Sequence, residues 1–404
     1  MPEREKRSFP VVIAGAGIGG LTAALALNDA GYEVCVLEKA SELREVGAGL
    51  QLSPNACSVL ERLGVLDELL PHAVLPEGIS IRSGHSGKLL GTVPLGGDIA
   101  ERYGLPYLVI HRADLQATLF EHACSRKGID IRLDAAVSDI KINDQGQITC
   151  LYETSDDVNA VGTRALIGAD GVWSKVRRFV PGHNTPKFTG QAAYRATIPA
   201  EGLPSYVLNR TGLWLGPNAH VVHYPISGGS SLNIVVLIAE NWTEQDWSAP
   251  ADADMVHAAL DGWSPELLSL IEKSPKWLKW ALCGVDANGP WRHGQVALLG
   301  DAAHGMLPYA AQGGAMAIED AFVLARTFKA QNGDANTAFA IYEAERKDRV
   351  ARVQALARRN ASIYHMGAPL ALARDTVMRM MPPKKFIDQM DWIYRWTATA
   401  SRST

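Results

Sequence analysis

The chain alternates short apolar runs with Gly-rich turns and helical stretches, and the order of those runs predicts its elements. Pro10-Val11-Val12-Ile13-Ala14 is apolar throughout and too short for a helix, so it predicts a buried strand. A Gly-rich turn follows, then an Ala/Leu-rich helix from Leu21 to Asp29 that Gly31 ends. Tyr32-Glu33-Val34-Cys35-Val36-Leu37 predicts the next strand. Ser53-Pro54-Asn55 should cap a helix over Ala56 to Arg62, and His111-Arg112-Ala113-Asp114-Leu115 opens one that runs to Ser125. Ile129 to Leu133 and Gln147 to Leu151 alternate like strands, with Asp144-Gln145-Gly146 as their turn.

From Pro181 the texture changes. Gln191 to Ile198, Gly212 to Gly216, Ala219 to Tyr224 and Ser231 to Ala239 predict strands, with Gly228-Gly229-Ser230 as a hairpin turn. Strands in succession without intervening helices imply an antiparallel sheet. Short strands at Ile79 to Arg82 and Leu89 to Val93 belong with them. Trp242, Trp247 and Trp263 read as packing residues beyond that sheet. Helical patterns return at Ala315 to Phe328 and Thr337 to Tyr364, and the charge on the second, including Arg346, Arg349, Arg352 and Arg359, predicts a solvated face. The expected fold class is therefore α/β. A Rossmann-like nucleotide-binding domain would take residues 1–76, 105–180 and 285–365. A mainly antiparallel β-sheet domain of residues 77–104 and 181–284 would be inserted in it for substrate, and a helical tail would take 366–404.

Composition narrows the classes. Of 404 residues, 47% are hydrophobic, enough to bury a large core in two lobes. A net charge of -4 with no basic excess argues against a nucleic-acid partner. The apolar stretch from Val11 to Leu27 is broken by Gly15, Gly17, Gly19 and Gly20, so it reads as strand-turn-helix, not as a membrane span. The charged leader from Met1 to Arg7 is followed by no secretory signal. Five scattered cysteines show neither CxxC nor zinc spacing, which suits reduced thiols in the cytoplasm and no metal site.

Two segments carry candidate chemistry. In Gly15-Ala16-Gly17-Ile18-Gly19-Gly20, Gly15 permits the tight turn, Gly17 lets the backbone approach a pyrophosphate, and Gly20 lets helix and strand pack closely. The helix N-terminus offers free N–H groups and a positive dipole end to phosphate. Glu38, eighteen residues after Gly20, can accept ribose hydroxyls. Lys39 and Arg44 follow it, and the Gly-rich stretch Gly47-Ala48-Gly49-Leu50 would let backbone pass close to a flat ring. Near the far end stand Gly300-Asp301-Ala302-Ala303-His304, Pro308 and Gln312-Gly313-Gly314. Two such segments suggest one long cofactor gripped from both ends, and FAD is that long. Asp301 would meet a ribityl hydroxyl or merely cap a helix. The helix that starts at Gly313-Gly314 would point its N–H groups at the flavin, where the reduced ring carries negative charge. Arg112 either reaches a phosphate or lies on the surface.

With Asp170-Gly171-Val172-Trp173-Ser174-Lys175-Val176-Arg177 between them, the motifs stand in a specific order. The chain over residues 10–365 resembles the single-component FAD-dependent aromatic hydroxylases, the p-hydroxybenzoate hydroxylase-like group. It is most similar to the salicylate hydroxylase, 3-hydroxybenzoate 6-hydroxylase and 6-hydroxynicotinate 3-monooxygenase branch. The resemblance implies that Gly15, Gly17, Gly20, Glu38, Arg112 and Asp301 bind FAD, and that Asp170 serves both the pyrophosphate side and use of NADH or NADPH. It implies a monooxygenase that hydroxylates a small phenolic or hydroxypyridine acid with O2 through a flavin C4a-hydroperoxide. An epoxidase or oxidase of a larger natural product on the same scaffold is the alternative. Gly305, Ala311 and Ala315 depart from the residues many members carry at these positions.

A phenolate is hydroxylated more readily than a phenol, so a base is useful. In the related hydroxylases a His and a Tyr four residues on line the substrate pocket, and His220 and Tyr224 match them. On a strand His220, Val222 and Tyr224 share one face and His223 takes the other, unless a bulge swaps them. By the same resemblance Pro308 and His304 sit beside the flavin. Tyr309 faces substrate or packs, and Arg195 pairs with a substrate carboxylate or with an internal acid. The aromatic segment Trp392 to Trp396 would cover the site's mouth or make a dimer contact; monomer and homodimer both stay open.

Overall fold

A computed structural model describes residues 9–43, 49–143, 147–241, 249–274 and 276–399, and in it the strand Val11–Ala14 is wholly buried inside a six-stranded sheet. The order is Arg292–His293, Val296–Leu298, Ala165–Gly168, Val11–Ala14, Val34–Leu37, Ile129–Arg132. Neighbours pair in parallel except the outermost Arg292–His293. Parallel neighbours need a crossover, and the helix Ile18–Asp29 makes the first one. This helix and Gly313–Ala330 pack against each other so tightly that a Cβ on Gly19 would meet the Ala317 side chain at 3.2 Å.

The second large sheet has eight strands: Ala249–Ala251, Trp277–Gly284, Lys187–Pro199, Ser231–Ala239, Ala219–Ile226, Arg210–Gly216, Gly78–Ser83 and Leu89–Pro94. Only Arg210–Gly216 with Gly78–Ser83 runs parallel. Alternation sends Tyr194, Trp214, Val221 and Ile234 to one face, where they pack with Trp263 and Leu267 of the adjoining helical segment. The other face carries Arg195, Val222 and Val235 toward the first sheet. The class is α/β, with helices against a parallel sheet and a mainly antiparallel sheet beside it.

Two expectations need correction. Ile129–Arg132 does not pair with the 147–151 run. It joins the parallel sheet beside Val34–Leu37, and Ile148–Glu153 pairs instead with Ala136–Ile142 and Val158–Thr163. The strand Ala136–Ile142 has a weakly apolar, lysine-bearing pattern that hid it. Asp144-Gln145-Gly146, Gly47-Ala48, Trp242 and Trp247 lie outside the described residues. The helix Ala335–Tyr364 is not merely solvated: Arg346 is 1% exposed, and Arg352 and Arg359 line a cavity. Three short helices, Leu370–Met380, Pro383–Asp388 and Asp391–Tyr394, form the tail; the first two pack beside Leu89–Pro94, where a Cβ on Gly91 would touch Phe386 at 3.0 Å, and the third packs against Pro54–Arg62. Among the described residues no helix is long and apolar enough to cross a membrane.

Candidate active site

A cavity of about 1560 Å³ lies between the carboxyl ends of the parallel strands and the inner face of the eight-stranded sheet. Small-molecule pockets usually run to roughly 300–1,000 Å³, so this one has room for more than a single small ligand. The turn after Val11–Ala14 forms one wall. Gly15 has φ +103°, and a Cβ there would stand 2.6 Å from the Ala169 carbonyl oxygen. A Cβ on Gly17 would meet nothing within 4 Å, so its backbone faces open space. Gly20 acts differently: it does not line the cavity, and a Cβ there would collide with the Gly15 carbonyl oxygen at 2.0 Å.

Carboxylates stand at the strand tips. Glu38 accepts the N–H of Ala16 at 2.7 Å and of Ala40 at 2.9 Å, which fixes the carboxylate at the cavity wall. Asp170 Oδ2 accepts the N–H of Lys175 at 2.7 Å and of Val176 at 3.2 Å. Its Oδ1 is buried without a partner, and burial raises the pKa of its carboxyl. Arg177 ties this loop to the Asp301 segment. Its guanidinium donates to the Val172 carbonyl at 2.9 Å, the Ala302 carbonyl at 2.8 Å and the Asp301 carbonyl at 3.3 Å. The Ser174 and Arg177 of the middle motif therefore hold the loop, while Asp170, Gly171, Trp173 and Lys175 line the cavity.

Of the expected cofactor contacts, Gly15, Gly17, Glu38, Lys39, Gly49, Arg112, Asp170, Asp301, Gly313 and Gly314 line the cavity. Arg44 lies outside the described residues. Gln312 does not line it: the side chain turns inward, donating to Ser53 Oγ at 3.0 Å and accepting from Asn55 Nδ2 at 3.2 Å. Ser53 thus stands at the N-cap position of Pro54–Arg62 without a side-chain capping bond: its hydroxyl accepts from Gln312 and donates to Asn55 Oδ1 at 2.6 Å.

His220, Tyr224 and Pro308 line the cavity as well, with Tyr309 and Arg195. His220, Val222 and Tyr224 share the inner face, and His223 points away toward Arg82 and Trp214. Burial, reinforced by His365, drives the pKa of His220 well below the usual imidazole range, so this ring is neutral at pH 7. Burial raises the pKa of Tyr224 and Tyr309, which keeps both hydroxyls protonated. Tyr309 donates to Gln191, and the Arg195 guanidinium lies 4.9 Å over the Trp280 ring.

His304 corrects an expectation. It is fully buried off the cavity, with Nε2 2.5 Å from Asp320 Oδ2. Asp320 also accepts from Arg346, which bonds Glu319 in turn, and Arg349 and Asn55 reach Glu319 too. Burial alone would raise the pKa of Asp320, but His304 and Arg346 hold it low. This cluster was not among the residues expected from the sequence. Its signal was Glu319-Asp320 inside an apolar helix, with Arg346 and Arg349 one turn apart on the next. The tail contributes to the site as well: Met378, Met381, Met390, Trp392 and Tyr394 close the cavity's far side.

A family model described as "FAD binding domain" matches residues 8–357. The chain belongs to this FAD-binding family. It is 37% identical over 389 residues to 3-hydroxybenzoate 6-hydroxylase of Polaromonas naphthalenivorans (strain CJ2), covering 96% of each chain. It is 33% identical over 358 residues to 6-hydroxynicotinate 3-monooxygenase of Bordetella bronchiseptica, covering 87% of this chain and 91% of that one. Klebsiella pneumoniae HpxO complexed with FAD and uric acid has a similar structure, with a TM-score of 0.82 at 25% identity over 96% of this chain and 97% of that one. This flavoprotein is a monooxygenase, with FAD as cofactor. The cavity fits FAD. It has open space at Gly17 for a pyrophosphate, an orphaned acceptor at Asp170 Oδ1, and the 18-residue helix Gly313–Ala330 aimed from the far end.

Proposed function

We propose that this flavoprotein hydroxylates the ring of a small phenolic or hydroxypyridine acid, with His220 as the base that takes the substrate's hydroxyl proton. The observation that carries this reading is the pairing of a neutral, buried His220 with Tyr224 on the strand face that lines the cavity. The relatives named above support the substrate class. In this reading Gly15, Gly17, Glu38, Lys39, Arg112 and Asp170 hold the dinucleotide end of FAD. Asp301, Gly313 and Gly314 hold the ribityl and ring end, Gly49 lets backbone approach the ring, and Pro308 bounds the reacting face.

The flavin, once reduced and exposed to O2, supplies an electrophilic oxygen. The chain's own residues do the rest. His220 accepts the phenol proton, which raises electron density in the ring at neutral pH. Tyr224 remains a protonated donor that orients the substrate oxygen. Arg195 is our candidate for the substrate carboxylate, as an ionic hydrogen-bond partner. The tail helices exclude water, which protects the activated oxygen from release as peroxide. The two-lobe division, with residues 77–104 and 181–284 as the substrate lobe, belongs to the same proposal.

The test is oxidation of NADH and NADPH by the FAD-loaded protein, stimulated by a panel of hydroxybenzoates and hydroxynicotinates and scored for hydroxylated product. His220→Ala should lower product formation on the best acid by about 100-fold or more. An unchanged rate would overturn the base assignment. A second reading, oxidation of a larger natural product, draws on the cavity's size and its methionine-lined extension under the tail. Turnover on none of the small acids would favour it.

A further inference from the structure

His220 has a partner outside the cavity. Its Nδ1 lies 2.9 Å from Nε2 of His365, which follows the last residue of the helix Ala335–Tyr364. His365 does not line the cavity and is only partly buried, while His220 is 2% exposed and does line it. The ring of Tyr309 lies near both histidines, tilted at 4.7 Å between centroids from His220 and edge-on at 5.7 Å from His365. Nδ1 of His220 is committed to His365, so Nε2 is the nitrogen left for a ligand. Two neutral imidazoles can share one hydrogen bond in only two ways, and they differ in what His220 offers the cavity. If His220 carries its proton on Nδ1, Nε2 is a bare acceptor. If His365 donates instead, His220 Nε2 carries the proton and cannot serve as a base.

We infer that His365 is the second member of a proton relay that holds His220 in the Nδ1–H form and carries the substrate's proton from the cavity to solvent. This rests on the proposed role of His220. The substrate O–H bond breaks and an N–H bond forms at His220 Nε2. The Nδ1 proton of His220 passes to Nε2 of His365, which releases its own Nδ1 proton to water. One proton leaves the site and no electron moves, and the path in reverse returns a proton to the product. The groups facing the pair are Tyr309 from the Pro308–Ala310 turn, Tyr364 beside His365, Tyr224 on the same strand as His220, and Arg374 from the tail helix. Arg374 holds the turn by donating to the Ile363 and Tyr364 carbonyls, each at 3.0 Å. Burial and this nearby cation lower the pKa of His365 to about 4, so it is a transient carrier that does not retain the proton.

The direct test is nitrogen-15 NMR of FAD-loaded protein labelled at histidine, with the two rings assigned through His220→Gln and His365→Gln. At pH 7 the relay requires His220 protonated on Nδ1 only and His365 bare at Nε2. His220 protonated on Nε2 would overturn it. In stopped flow, the ultraviolet signal of phenolate formed from bound 3-hydroxybenzoate should appear about 10-fold or more slowly in His365→Gln, with FAD content and half-saturation unchanged. The double variant with His220→Ala should be no slower than His220→Ala alone. A slow His220→Ala beside a normal His365→Gln would remove the relay and leave His220 as base. A normal His220→Ala would remove both.

Discussion

His304 Nε2 stands 2.5 Å from Asp320 Oδ2, and neither side chain lines the cavity. The same carboxylate oxygen accepts the N–H of Gly300 at 3.2 Å. The histidine therefore stabilises the turn that delivers Asp301 and does not line the cavity. His304→Gln should lower folding stability by about 2 kcal/mol, the scale of a lost buried hydrogen bond to a charged group. The fraction of NAD(P)H oxidation that yields hydroxylated product should not change. Thermal unfolding beside product analysis checks this; an unaltered melting temperature with lost hydroxylation would return His304 to the reaction.

Ala311 occupies the left-handed region at φ +50°, where a side chain is strained. A glycine at this point costs nothing sterically. Ala311→Gly should gain up to about 1 kcal/mol after the glycine's extra unfolded-state entropy is set against the strain. Denaturant unfolding of the holoprotein reads the gain, and a loss of stability would show that the surrounding packing outweighs the strain.

Arg349 joins the tail to the core. It donates to both Glu319 oxygens and to the Trp392 and Ile393 carbonyls at 2.8 and 3.0 Å. Arg349→Met should loosen the tail helix Asp391–Tyr394 and admit water to the cavity, raising peroxide release per NAD(P)H oxidised several-fold. Removal of residues after Met381 should do the same more strongly. Unchanged coupling in both would deny the tail its role as a seal.

Much of this was legible in the sequence, and the failures share a cause. The glycine turn, Glu38, Asp170 and Asp301 follow from local rules about strand tips and helix N-termini, and the alternation in 219–224 placed His220 and Tyr224 on the cavity face. What escaped depends on distant partners. Arg346 and Arg349 look solvated until Glu319 and Asp320 are seen opposite them. His365 carries no local signal, because its partner is 145 residues away.

His223 gives a pH prediction with a definite sign. Burial, and then Arg82, lower its pKa from the usual 6.5 to about 4. The unfolded chain binds that proton below pH 6.5 and the folded chain does not until about pH 4. The neutral ring's contribution is therefore complete above pH 6.5 and is lost as pH falls from 6.5 toward 4. His220 and His365 act in the same direction. His223→Asn should flatten the stability–pH slope in this window by about one proton. An unchanged slope, measured by urea unfolding at several pH values, would contradict it.

The most direct measurement of the account is turnover of the FAD-loaded protein under oxygen-18 gas with the panel of hydroxybenzoates and hydroxynicotinates, read by mass spectrometry. The account predicts at least one acid that gains a single labelled oxygen on its ring, in proportion to the NADH or NADPH consumed. No ring-labelled product from any of them, with peroxide accounting for all the reductant, would contradict it.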